Sequence, residues 1–141
     1  MKKILITGAS RGIGLELTKQ LSTIGHHVYA TCRQPNRVNQ LNSIKSVSPE
    51  NIQILKMDVE DETSIEECFR HLECKNEKID ILFNNAGIID WNDLHEISAT
   101  SAEKIYKVNL VGSLLVTKYA LSILQKSSSP TIINLSSRLG S

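Results

Sequence analysis

Apolar residues fall along the chain in short unbroken runs, separated by stretches in which they recur every three or four positions. Ile4-Leu5-Ile6 lies within a run over residues 3–7 that predicts a strand buried on both faces. Ile13, Leu17, Leu21 and Ile24 then draw one apolar stripe on a helix that Gly25 terminates. Val28-Tyr29-Ala30-Thr31-Cys32 predicts a second strand, and Val38, Leu41 and Ile44 mark a short polar helix after Pro35 that closes at Ser48-Pro49. A third strand runs through Ile52, Ile54 and Leu55 into Met57-Asp58-Val59. The next helix carries Ile65, Phe69 and Leu72, with Asp61 or Thr63 as its cap and Thr63 and Glu66 at capping-box spacing. Residues 79–83 predict a fourth strand, residues near 101–126 the longest helix, and residues 131–135 a fifth strand. The serines at 127–129 before Pro130 read as an ordinary turn.

Strands alternating this regularly with helices require a parallel sheet with right-handed crossovers and helices on both faces. The expected architecture is an α/β, Rossmann-type doubly wound sheet of strand order 3-2-1-4-5, forming one domain over residues 1–141. Ligands in such sheets sit where the strand order reverses, here between strands one and four.

The first strand runs directly into Thr7-Gly8-Ala9-Ser10-Arg11-Gly12-Ile13-Gly14. Gly8 suits a tight turn at the strand end, Gly12 lets backbone amides of the turn, including those of Ser10 and Ile13, approach a pyrophosphate, and Gly14 lets the helix pack close on the sheet. The helix start offers unpaired N–H groups and partial positive charge to an anion. A plain strand-to-helix turn is the competing account. About 20 residues beyond the glycines, where an acidic side chain would select NAD, the chain carries Arg33. A guanidinium pairs with a 2′-phosphate instead, and Arg11 reaches the same group from the other side, so NADP is favoured over NAD. For either arginine alone, a solvated surface charge is the alternative. Asp58 is placed to accept from the adenine amino group with Val59 packing on the ring, unless it only serves the helix that follows. Asn84-Asn85-Ala86-Gly87 ends the fourth strand at the switch point, where small residues admit a cofactor and an amide ties neighbouring strand ends together.

Charge narrows the partners. Sixteen basic and fifteen acidic residues, interspersed, give a net charge of +1 and no field to draw nucleic acid or an anionic membrane. Cys32, Cys68 and Cys74 are odd in number and show no metal-ligand spacing, which suits a reducing, cytoplasmic setting without zinc. The N-terminus shows no signal-peptide pattern, and no segment is expected to approach a membrane span.

The glycine turn at 7–14, Asp58-Val59, Asn84-Asn85-Ala86-Gly87, Asn109 in the long helix and Ile133-Asn134-Leu135-Ser136-Ser137 occur in an order that resembles the short-chain dehydrogenase/reductase family over the whole chain. Ala30-Thr31-Cys32-Arg33 and the closing Ser136-Ser137-Arg138-Leu139-Gly140-Ser141 further resemble its carbonyl-reductase branch, with the sniffer and C-factor type proteins. The resemblance implies hydride transfer between a nicotinamide and a small-molecule carbonyl or alcohol. Ser137 matches the serine that hydrogen-bonds the substrate oxygen, and Asn109 the asparagine that helps hold a relay water. A strand-end serine bonded to local backbone, and an amide tying off a bent helix, are the bland accounts of these two.

The family's Tyr-x-x-x-Lys does not occur in these 141 residues, since residues four positions after Tyr29, Tyr106 and Tyr119 are Arg33, Leu110 and Ile123. The expectation is therefore a C-terminally truncated member, inactive by itself. The alternative is a non-catalytic nucleotide-binding or regulatory module that pairs with a full-length relative. Leu110, Val111, Leu114, Leu115, Val116, Ala120, Leu121, Ile123 and Leu124 make the long helix apolar on nearly every side, so it is expected to be covered, and the family resemblance implies a homo-oligomer through this helix.

Overall fold

A computed structural model describes residues 1–137. Arg138, Leu139, Gly140 and Ser141 of the closing motif lie outside the described residues. Five strands, β1 (Lys3–Ile6), β2 (His27–Cys32), β3 (Ile52–Lys56), β4 (Ile81–Asn84) and β5 (Thr131–Asn134), form one parallel sheet of order β3-β2-β1-β4-β5. The expected order and fold class hold.

Alternation within the strands explains why both faces need helices. Ile4 and Ile6 of β1 join Val28, Ala30 and Cys32 of β2 and Ile52 of β3 in a buried layer. It packs beneath α1 (Gly12–Thr23) and α2 (Asn39–Val47), which add Leu15, Leu17, Leu21, Leu41 and Ile44. Leu5, Tyr29, Leu55 and Leu82 point the other way, against Ile65, Phe69 and Leu72 of α3 (Glu62–Cys74) and Val116, Ala120 and Ile123 of α5 (Ser113–Leu124). Period-two alternation with apolar residues in both phases gives two cores, one on each side of the sheet.

Four sequence expectations change. The face that α1 buries is Gly14, Thr18 and Ser22, whereas Ile13 and Ile24 are exposed. Small residues four apart bring this helix close to the sheet, and Ile13 is left at the crevice that the glycine turn opens. The helix does end at Gly25, whose φ is +89°. On α3 the cap is Asp61, which accepts from Thr63 N at 3.0 Å, so the Thr63–Glu66 capping box is not used. The long helix is three pieces: α4 (Ala99–Tyr106), a π-helical segment (Lys107–Gly112), and α5. Gly112 explains how the wider turn is seated, because a Cβ there would stand 2.8 Å from Val59 O. As a whole, Ala99–Leu124 is long and apolar enough to cross a bilayer, contrary to the expectation that no segment approaches this. Core helices share that property, and this one buries Val108, Val116, Ala120, Ile123 and Leu124 while leaving Leu110, Leu114 and Leu121 exposed.

At the end of the sheet opposite the glycine turn, the buried Asp80 carboxylate accepts from Lys3 N at 2.8 Å and Ser127 Oγ at 2.6 Å, with Lys78 Nζ at 3.4 Å. Burial pushes this carboxyl up, but the Ser127, Lys3 and Lys78 bonds together outweigh it and hold it at about 2.

Candidate functional site

β1 and β4 pair from Ile4–Ile81 to Ile6–Phe83 and then diverge into loops, which opens a crevice at their C-terminal ends. Thr7 locks the two strand ends together. Its hydroxyl oxygen accepts from Asn85 N at 3.0 Å and Ala86 N at 2.9 Å. Asn85 returns the tie, donating from Nδ2 to Thr7 O at 2.9 Å and Gly8 O at 3.2 Å. The tie expected of an amide in this turn is thus made here by Asn85. The Thr7 hydroxyl also donates to Phe83 O at 3.3 Å, and no local spacing in the sequence marks this three-way position.

The glycines divide the work by what surrounds them. Gly8 has φ +67°, and a Cβ there would stand 2.9 Å from Ala86 Cα, so the turn fits only without a side chain. Gly14 faces Asn85 Nδ2 and Gly8 O, each 2.5 Å from where its Cβ would be. Gly12, with φ +55°, has nothing within 4 Å of that point. It faces open crevice, leaving the start of α1 bare on that side. Arg11 is the N-cap with extended backbone and makes no side-chain cap, whereas α3 and α4 are capped by Asp61 and Ser98. The uncapped amides at Gly12–Gly14 have room for an anion.

The cavity at this turn has a volume of about 420 Å³. Gly8, Ser10, Arg11, Gly12, Ile13, Arg33, Asp58, Val59, Asn85, Ala86 and Gly87 all line it, so every proposed cofactor residue except Gly14, which packs behind the turn, meets the same space. Arg11 and Arg33 are both exposed and make no ion pair among the described residues. Asp58 spends one carboxylate oxygen on Glu60 N, 3.0 Å away, which partly supports the bland account of it as a turn-forming residue. Cys32 and Met57 also form the lining. Burial pushes the Cys32 thiol up, with a partial offset from the Gln34 backbone, so it stands there as a neutral thiol.

Past Asn85 the crevice widens toward Asn109, Ser136 and Ser137, which line its second half. Asn109 accepts from Ile88 N at 2.9 Å and donates to Ile88 O at 2.8 Å, so both ends of its amide take part in clamping the loop after Gly87 to the π-helical segment. That is the amide-on-a-bent-helix account; its side chain fixes a loop that borders the site. Beneath Ser136 and Ser137, Asn84 Nδ2 donates to Asn134 Oδ1 at 2.8 Å and Thr117 Oγ1 at 3.0 Å, tying β5 to β4 and α5. None of the three tyrosines lines either half of the crevice. Tyr29 is fully buried, its hydroxyl held protonated by burial and by the Glu77 carboxylate, and Tyr119 donates to Glu62 on the outer face of α3.

A statistical model described as "short chain dehydrogenase" matches residues 2–141. The chain is 37% identical over 142 residues to a 3-amino-tetrahydro-pyrrolizinone reductase of Xenorhabdus hominickii, covering 99% of this chain and 47% of that protein. It is 32% identical over 139 residues to an NADP-dependent 3-hydroxy acid dehydrogenase of Escherichia coli, covering 98% and 55% respectively. The NADPH-bound carbonyl reductase from chicken fatty liver superposes with a TM-score of 0.90 at 29% identity, over 100% of this chain and 61% of that one. The chain thus spans about half the length of the curated relatives it matches.

Proposed function

The chain belongs to the short-chain dehydrogenase family, and from that footing we propose that its crevice binds NADP(H) in preference to NAD(H) and serves oxidoreduction between a carbonyl and an alcohol. The observation that carries the cofactor choice is the placement of Arg11 and Arg33 on one cavity, both without an acidic partner among the described residues. A cation pair left open beside uncapped helix amides suits a ligand with a pyrophosphate and a further phosphate. The relatives named NADP-dependent or solved with NADPH support the same choice.

When bound, the dinucleotide supplies or accepts the hydride. The chain's own residues do the rest: the Gly8–Gly14 turn receives the pyrophosphate, Arg11 and Arg33 hold the 2′-phosphate, and Asp58 and Val59 border the adenine side. On the substrate side, the Ser137 hydroxyl orients the reacting oxygen and Asn109 keeps the 87–89 loop in place. These 141 residues hold no Tyr-x-x-x-Lys, so no side chain in them is tuned to give or take the proton at that oxygen. Nucleotide binding without turnover is what these residues support. The exposed Leu110, Leu114 and Leu121 favour a second reading, a nucleotide-binding module that associates through this face with itself or with a longer relative.

The test is a titration of the chain with NADPH and with NADH. Charge-assisted bonds to the extra phosphate of about 1.5–3 kcal/mol give roughly a 10–100-fold preference for NADPH. Arg33→Asp should erase or reverse it. An unchanged preference in that variant would remove Arg33 from the site and overturn the cofactor assignment. Sedimentation of the same samples separates monomer from self-association.

A further inference from the structure

Beyond Asn85 the crevice changes character. Ile89, Trp91, Ile105, Leu110, Leu114 and Leu135 give its wall an apolar share, alongside amides and hydroxyls such as Asn109, Ser113 and Thr117. Several of these are strongly exposed, Trp91 at 80% and Leu114 at 66%. Among the described lining residues only Arg11 and Asp90 carry charge, and Arg11 stands at the glycine turn on the nucleotide side. Among the described residues, Asp90 is therefore the one formal charge on this half.

That carboxylate is fixed in place. Ser101 Oγ donates to its Oδ2 and Asn92 N donates to its Oδ1 at 2.9 Å, while Ser98 caps the helix from which Ser101 projects. These bonds, the Ser101 hydroxyl first, hold the Asp90 carboxyl below the usual carboxylate range. The Asn92 side chain adds a smaller contribution, and a carboxylate still has more acceptor positions than these donors fill. The neighbouring residue in the chain is an exposed tryptophan, whose ring face attracts cations. An ammonium brought here meets a preorganised anion and an aromatic ring, while its apolar body covers the leucine and isoleucine wall. A carboxylate brought to the same place meets like charge and loses hydration against apolar side chains.

Resting on the reading of the crevice as an oxidoreductase site, we propose that its apolar half takes a carbonyl compound carrying a protonated amine, received by Asp90 and Trp91 at the rim. The substrate class this assigns is an apolar, cyclic or aromatic amino ketone or amino aldehyde, as against a keto acid.

Trp91 is the only tryptophan in the chain, so its emission reports this half of the crevice directly. Three ketones of matched size serve as probes for the 141-residue chain: para-acetylbenzylamine, para-methylacetophenone and para-acetylbenzoate, each titrated with and without NADPH. The benzylamine should bind roughly fivefold to tenfold tighter than the methyl ketone, with the benzoate weakest. Asp90→Asn, which keeps the Oδ1 acceptor for Asn92 N and presents an NH2 that the Ser101 hydroxyl can turn to accept from, should bring the amine-to-methyl ratio to about one. In the unaltered chain, raising the salt to about 0.5 M should narrow the same ratio, a result that does not depend on how the variant folds. Equal affinities for the three ketones, tightest binding of the benzoate, or a ratio that survives Asp90→Asn in a folded variant would each overturn the proposal. Failure of NADPH to bind would instead overturn the nucleotide reading, because the ketone ranking is also measured without it.

Discussion

Gly12 and Gly14 lie two residues apart in one turn, yet a methyl group added to each should have opposite consequences. In Gly14→Ala the new Cβ stands 2.5 Å from both Asn85 Nδ2 and Gly8 O and 3.1 Å from Ala9 Cα. Two of those atoms are backbone, and an ordinary contact begins near 3.4 Å, so α1 must move out by close to 1 Å or the turn must distort. Forced overpacking of this kind costs about 1–3 kcal/mol. Displacing Asn85 also puts at risk its bonds to Thr7 O and Gly8 O, each worth about 0.5–1.5 kcal/mol. The expected loss is about 2–5 kcal/mol, a large share of the 5–15 kcal/mol typical of a domain. In Gly12→Ala the Cβ meets no atom within 4 Å, so only the φ of +55° is penalised, by about 1–2 kcal/mol. What that methyl occupies is the crevice, so NADPH affinity should fall while the stability loss stays smaller than in Gly14→Ala. Urea unfolding followed by circular dichroism, beside NADPH titration, separates the two. An unchanged unfolding midpoint in Gly14→Ala, or a larger stability loss in Gly12→Ala than in Gly14→Ala, would refute the assignment of packing to one glycine and ligand approach to the other.

Thr7→Val preserves shape but removes the acceptor of two backbone N–H groups, Asn85 and Ala86, so a loss of about 2–4 kcal/mol is expected in the same urea assay. Asp80 gives a pH signature: its folded value of about 2 lies below the ordinary 3.8, so it stabilises fully above pH 3.8 and loses that contribution as pH falls through about 2. The unfolding midpoints of the native chain and Asp80→Asn should therefore differ at pH 5 and draw together toward pH 2, and a gap constant across that range would count against the carboxylate tie. Given NADPH and the ketones above, the 141-residue chain should oxidise no NADPH above background, because positioned acid–base catalysis contributes about 10²–10⁴-fold and no tyrosine lines the crevice among the described residues. Turnover that disappears in Ser137→Ala would show that the 141-residue chain has chemistry of its own.

Much of the architecture was written locally. Ile4-Leu5-Ile6 and Val28-Tyr29-Ala30 place apolar residues in both phases of a two-residue repeat, which only a sheet covered on both faces can bury, and the glycine turn fixed where the first helix starts. Arg33 at the end of β2 and Asn84-Asn85-Ala86-Gly87 at the end of β4 follow from strand ends alone, and the structure brings them to one crevice. Tertiary structure decided what local periodicity cannot encode. Ile13 and Ile24 fit a helical stripe but are exposed, because contact with the sheet selected the small residues Gly14, Thr18 and Ser22 instead. The π-helical segment at Lys107–Gly112 depends on Gly112 meeting Val59, and Asn109 found its partner in Ile88. Thr7 bonds residues 78 and 79 positions away, and Asn84 bonds one 50 positions away. Hydrophobic patterning specifies which elements form and which face they bury, since burial is non-directional and additive along a few turns. Hydrogen bonds are directional and join whichever atoms the finished fold brings within about 3 Å, so the ties that shape this crevice exist only once β1, β4 and β5 lie side by side.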